Sequence, residues 1–189
     1  MDLDLRTTAL IVIDVQRGFI NHNSRGVVPA VVELVDGWLA GGGAVVFSRF
    51  HNPAGSPYER ITGWKRLRTA DEQALVDELA PYVTRAAAVI DKGESSVFTE
   101  EGIRVFRQAG WTDLVLCGID TDACVYDSAI AAYQRGYRPW IVTDACASTG
   151  GPEYHDAALL LASRNVSKTQ LITSSSILAS VSGPTGACA

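Results

Sequence analysis

The chain is short of positive charge: 16 Lys and Arg stand against 21 Asp and Glu, for a formal net charge of -5. An electrostatic nucleic-acid binder needs a basic surplus to displace phosphate counterions, so no nucleic-acid partner is expected. The two densest basic spots, residues 65–68 and Arg104 with Arg107, read as solvated faces. No apolar run approaches the roughly 20 residues of a membrane span, so no membrane partner is expected. The first five residues carry acid where a signal peptide carries base, and no small-residue cleavage site follows an apolar run. Histidine is scarce, at three residues, which makes a His-rich metal site hard to build. The four cysteines, Cys117, Cys124, Cys146 and Cys188, show no C-x-x-C spacing. They read as reduced thiols of a cytoplasmic protein.

What is present is globular composition: 189 residues, 47% hydrophobic and 20% charged. That length predicts a single domain over 1–189, with no internal repeat or linker. A core of this size buries roughly 70% of the unfolded surface and needs no disulfide or metal staple.

Short Ile/Val-rich runs alternate with amphipathic stretches. Strands are predicted over 7–15, 44–48, 86–91, 113–117, 138–143 and 167–172. Helices are predicted over 27–39, 71–79, 99–109, 121–135, 152–164 and 174–180, several with Gly stops or Thr and Pro starts. Residues 182–186 read as a frayed tail. The alternation predicts an α/β fold: three layers, Rossmann-like, with a mostly parallel six-stranded sheet. Residues 49–70 form a polar connection whose length marks it as functional or disordered.

Ligands of such a sheet collect beyond the carboxyl ends of the strands. The polar residues expected there are Asp14, Gln16, Ser48, Arg49, His51, Asp91, Lys92, Asp120, Thr121, Cys124 and Asp144. Cys124 is the sharpest of them. It sits at a strand-to-helix turn, where the helix dipole favours a thiolate and unpaired backbone N–H groups can bind a developing oxyanion. A nucleophile also needs a proton acceptor. Asp14 fits that role better than His51, and Lys92 can steady both carboxylate and sulfur. By spacing alone, Cys124 also fits a small buried hydrophobe, and Asp14 a structural cap.

Four segments, in order, carry a wider likeness: ALIVIDVQRGF at 9–19, DKGESSVF at 91–98, GIDTDACVYDSAIAAYQRGY at 118–137 and TDACAS at 143–148. Together the chain resembles the isochorismatase-like cysteine hydrolases, which include nicotinamidases, N-carbamoylsarcosine amidases and isochorismatases. The resemblance implies a catalytic triad of Asp14, Lys92 and Cys124. It implies a non-proline cis peptide joining Ile119 to Asp120, with the N–H groups of Asp120 and Cys124 as oxyanion hole and Thr121 holding the turn. It implies a hydrolase of a small amide, ureido or imide compound, assembled as a homo-oligomer, either dimer or tetramer.

The chain departs from the nicotinamidase pattern. Those members carry Asp-x-His after the second strand, whereas here the positions hold Arg49 and His51. A cation replaces an anionic ligand, so no metal and no cofactor is expected. The loop from 49 to 68 is expected to supply the substrate pocket. Its candidates are Phe50, His51, Tyr58 and Trp64, with Gln16 and Phe19 from the first motif and Arg49 or Arg60 for an anionic group. His155 reads as structural. Two other readings stay open: an ether hydrolase of the isochorismatase type, and a non-catalytic scaffold of the same fold.

Overall fold

The computed structural model describes residues 3–181; the 182–186 tail and Cys188 lie outside them. Six parallel strands form one sheet in the order β3-β2-β1-β4-β5-β6. They are β1 (Thr8–Ile13), β2 (Ala44–Phe50), β3 (Ala88–Lys92), β4 (Asp113–Ile119), β5 (Arg138–Ala147) and β6 (Leu171–Ile172). The helices are α1 (Val28–Ala40), α2 (Ala70–Gln73), α3 (Ala80–Val83), α4 (Glu100–Ala109), α5 (Tyr126–Gln134), α6 (Pro152–Ala162) and α7 (Ser174–Val181). Right-handed crossovers put α1 and α7, which pack together, on one face, and α4, α5 and α6 on the other. Covering on both faces explains why every residue of β1 and of β4 is buried. Among the described residues no helix is long and apolar enough to cross a membrane.

Strand order reverses at β1. The chain leaves β1 for β2 on one side, while β4 pairs along the other. That switch point opens a crevice at the carboxyl ends of β1 and β4. Asp14 follows β1, and Cys124 lies one turn beyond β4.

Three predicted elements differ from the structure for identifiable reasons. The helix expected over 71–79 breaks into α2, a 3-10 turn at Asp77–Leu79, and α3. Its middle is taken by the segment after β1: Gln16 bridges Leu75, Arg17 N–H donates to the Ala74 carbonyl, and Val76 N–H to that of Val15. Here tertiary pairing overrides helix propensity. The strand expected over 138–143 runs on to Ala147, because β4 continues to pair with it past a bulge. Asp144 is therefore inside a strand, not at its end, and its carboxylate accepts from Ser174 N–H and Oγ–H at the start of α7. The sixth strand shrinks to Leu171–Ile172, since 163–170 coil into π and 3-10 turns before reaching the edge of β5.

Candidate active site

Asp14 takes a positive φ of 50° as it leaves β1, which turns its side chain across the strand ends. It is fully buried. Ser48, from β2, donates from Oγ to Asp14 Oδ1 at 2.6 Å. Lys92, at the end of β3, reaches over β2 and sets its Nζ 2.6 Å from Asp14 Oδ2, with both side chains fully buried. The ammonium also donates to the carbonyls of Glu94 (3.1 Å) and Ser95 (2.8 Å). Its three donors are thereby committed, so Lys92 fixes charge and loop geometry. Apart from the Lys92 ammonium, Oδ2 has no hydrogen-bond donor among the described residues.

Cys124 lies in a π-helical turn, Thr121–Val125, between β4 and α5. Its carbonyl accepts from Ser128 Oγ at 2.6 Å, and that oxygen accepts from Val97 N–H at 3.1 Å, which ties the turn to the segment before α4. Ser95 Oγ stands 3.8 Å from the Cys124 sulfur. Burial, reinforced by the Asp14 charge and opposed by Lys92, pushes the thiol up to about 12. The resting sulfur is therefore a protonated thiol beside a carboxylate. Desolvation here opposes the pull of the helix terminus toward a thiolate. Lys92 shows the opposite balance. Burial lowers it, but the Asp14 charge, with the Cys124 sulfur beside it, overcomes that and raises it above the ordinary lysine range.

The peptide between Ile119 and Asp120 is cis. The Asp120 side chain turns away from the turn and accepts from Thr149 N–H (2.6 Å) and Thr149 Oγ–H (2.8 Å). The Thr149 carbonyl accepts from Asn21 and Asn23, both at 3.0 Å. Three loops are thus laced together at one rim. Burial pushes Asp120 up to about 6, against the lowering effect of the Thr149 bonds. Because that value lies above the ordinary 3.8, the folded state binds the extra proton between the two values. The stability from this proton is full below about 4 and lost as pH rises through about 6. Asp120→Asn keeps both Thr149 partners without the charge. Urea titrations of this variant are expected to show a flatter pH profile between about 4 and 7 and no loss of stability at pH 7; an unchanged slope would count against this account.

Gly118 explains how β1 and β4 come close enough to share the site. It has φ +120°, and a Cβ there would meet the Ile13 carbonyl oxygen at 2.1 Å. Both atoms are backbone and neither can swing aside. Gly118→Ala is expected to cost about 2–3 kcal/mol in chemical denaturation, because it pushes apart the strands that carry Asp14 and Cys124.

Above the thiol is a cavity of about 590 Å³. Phe19, Phe50, Tyr58 and Trp64 form one aromatic wall; Phe19 and Trp64 stack with centroids 6.0 Å apart, and Tyr58 meets Phe50 edge-on at 5.2 Å. The floor and polar wall are Asn21, Ser95, Asp120, Cys124 and Thr149. The expected pocket residues Phe19, Phe50 and Trp64 therefore line it. Gln16 does not. It is fully buried and bonds the backbone of Phe50 and Gln73 through both ends of its amide, which holds β1 to the loop. His51 does not either. Its Nε2 lies 2.9 Å from Asp91 Oδ1, and it faces a separate cavity with Arg68 and Gly93. Arg49 is bidentate to the same Asp91, at 2.7 and 2.8 Å, and is closed to substrate. Arg60 does not line the pocket. Among the described residues no three His, Cys, Asp or Glu side chains converge as metal ligands. Outside the cavity, Thr121 Oγ1 and His155 Nδ1 share a hydrogen bond of 2.8 Å that pins α6 to the turn.

Sequence reasoning missed Asn21, Ser95, Thr149 and Arg66, all of which line the cavity. Ser95 lay inside a quoted motif. Thr149 and Asn21 are 128 residues apart and carry no local signal.

The isochorismatase domain family model matches residues 8–174. The chain belongs to the isochorismatase family. Its relatives include the uncharacterized isochorismatase family protein YwoC of Bacillus subtilis (strain 168), 31% identical over 84% of this chain and 87% of the relative. Nicotinamidase 3 of Arabidopsis thaliana is 23% identical over 84% of this chain and 82% of its own length. The solved N-carbamoylsarcosine amidase from Thermoplasma acidophilum superposes with a TM-score of 0.74 at 25% identity, over 89% of this chain and 96% of that one. The protein is thus an isochorismatase-family hydrolase with the family's three-layer α/β fold.

Proposed function

We propose that this isochorismatase-family protein hydrolyses a C–N bond of a small carboxamide, ureido or imide compound through a thioester-type intermediate on Cys124. One observation carries the reading: a buried carboxylate, ion-paired at 2.6 Å to a saturated lysine, beside a buried thiol that is protonated at rest. Such a thiol becomes a nucleophile only if a base takes its proton as it attacks, and Asp14 is that base. The sulfur adds to the carbonyl carbon, and the N–H groups of Asp120 and Cys124 receive the developing oxyanion. Asp14 returns the proton to the leaving nitrogen, the C–N bond breaks, and ammonia or an amine departs. Asp14 then takes a proton from water, whose oxygen attacks the thioester, and passes it to the Cys124 sulfur as the C–S bond breaks, which restores thiol and carboxylate. Lys92 stays charged throughout and keeps the Asp14 carboxyl in place.

The relatives named as nicotinamidase and N-carbamoylsarcosine amidase favour amide chemistry over vinyl-ether cleavage or a scaffold role. The reading keeps the protein cytoplasmic, with Cys117, Cys124 and Cys146 unpaired. It also keeps a homo-oligomer, for which the exposed Tyr154, Leu160 and Leu161 of α6 supply an apolar face. The test is intact-protein mass spectrometry with a panel of small amides, ureido compounds and imides, followed in parallel by ammonia assay. A transient acyl adduct on Cys124 with ammonia release is expected. Neither signal across the panel, from a protein whose Cys124 still alkylates, would overturn the reading.

A further inference from the structure

The cavity is polarised along its depth. At its floor sit the Cys124 thiol, only 6% exposed, and the acidic Asp120. At its mouth sits Arg66, whose side chain is 55% exposed. Three arginines near this site are neutralised. Arg49 holds Asp91 through two nitrogens, Arg68 reaches Glu59 at 2.7 Å, and Arg17 is paired to both Asp71 and Asp77. Arg66 differs from them. Its nearest carboxylate oxygen is Glu72 Oε1, 3.7 Å from Nε, and its guanidinium makes no hydrogen bond among the described residues. Glu72 cannot close that gap freely, because its Oε2 is the capping-box acceptor for the N–H groups of Arg68 (3.0 Å) and Thr69 (3.2 Å).

Arg66 is also held in place from beneath. Asn52 is fully buried and donates from Nδ2 to the carbonyls of Trp64 (3.1 Å) and Arg66 (3.0 Å). Asn52 N–H donates to the carbonyl of Leu67, a buried residue with φ 60°. The segment that carries Trp64 and Arg66 is therefore a fixed turn. It presents an aromatic face and a planar, forked donor to the same cavity. A guanidinium whose terminal nitrogens are uncommitted is suited to bidentate capture of a carboxylate.

We infer that Arg66 binds an anionic group of the substrate, so that the compound hydrolysed is a planar amide bearing a carboxylate at the end remote from the scissile bond. This rests on the amide-hydrolase reading for the reaction but not for the binding. The arrangement fixes orientation. The acid at the floor repels an anion and the guanidinium at the mouth attracts one, so the amide end goes to Cys124. The aromatic wall of Phe19 and Trp64 lies between the two ends.

The test measures binding and turnover separately. Calorimetry on the Cys124→Ala protein compares benzamide with its 2-, 3- and 4-carboxy derivatives. At least one carboxy isomer is expected to bind at least about tenfold more tightly than benzamide, with a preference that shrinks as salt rises. Adding Arg66→Gln should erase that ratio, whereas Arg60→Gln, a cation on the same loop outside the cavity, should leave it. Equal binding of all four compounds, no binding of any, or a ratio that survives Arg66→Gln would each overturn the inference. Ammonia release by the unsubstituted enzyme with the same compounds reads the chemistry independently: preference without ammonia upholds Arg66 and counts against the hydrolysis, and ammonia without preference does the reverse.

Discussion

Cys124→Ala is expected to lose amide turnover by about 10⁴-fold or more while the protein stays folded. The size of the loss follows from the covalent route. Without sulfur there is no atom to receive the acyl group, and what remains is the rate supplied by binding and backbone donors. The fold survives because the substitution removes one atom from a site whose shape is set by its neighbours. Ser128 still bonds the residue-124 carbonyl, and the turn is anchored from Asp120, whose carbonyl accepts Val125 N–H at 3.0 Å. Asp14→Asn should lose turnover on a comparable scale for a different reason. The thiol, which burial disfavours as a thiolate, then has no base to receive its proton. The two variants therefore separate nucleophile from base. Mass spectrometry should find no acyl adduct in either, and in Asp14→Asn the thiol is still present to be alkylated. Ammonia release from Cys124→Ala at more than a hundredth of the unsubstituted rate would end the covalent account.

How much of this could be read from the chain depends on whether the signal was local. The buried strands were visible as Ile/Val runs, and their alternation with helices implied the sheet. Asp14, Lys92 and Cys124 were visible because each stands at the end of such a run, where a parallel sheet gathers its ligands. The meeting of Asp14 and Lys92 at 2.6 Å across β2 was not visible, because strand order is a tertiary fact. Gln16 and His51 show the converse error. Both have the chemistry of pocket residues, but one satisfies buried backbone groups of Phe50 and Gln73 and the other is drawn to Asp91. Arg66 reads as a solvated face, and its side chain is 55% exposed; what only the fold shows is that it lines the cavity, and that Arg49, Arg68 and Arg17 hold carboxylates more closely than it holds Glu72. The dipole of a helix start is a local inference, whereas depth of burial needs the whole fold.

Lys92→Met is expected to destabilise the protein by about 3–5 kcal/mol at pH 7, the usual result of removing one member of a buried ion pair. Asp14 would remain fully buried, with Ser48 as its side-chain donor and no countercharge at Oδ2. The carbonyls of Glu94 and Ser95 would also lose a shared donor, loosening the loop that carries Ser95 to the sulfur. If the cost is mainly the stranded charge, the double variant Asp14→Asn with Lys92→Met should be more stable than Lys92→Met alone, a non-additivity that marks direct coupling. The pH dependence has a definite sign. Lys92 is raised in the folded state above the ordinary 10.5, so its contribution is fully present below that value and is lost only as pH climbs through the higher folded one. The stability gap between unsubstituted protein and Lys92→Met should therefore stay constant from about pH 7 to 9 and narrow above about 10.5. Urea unfolding at several pH values measures both effects. A gap that narrows toward neutral pH would mean that Lys92 does not carry its charge into the folded state, and the buried ion pair with Asp14 would not hold.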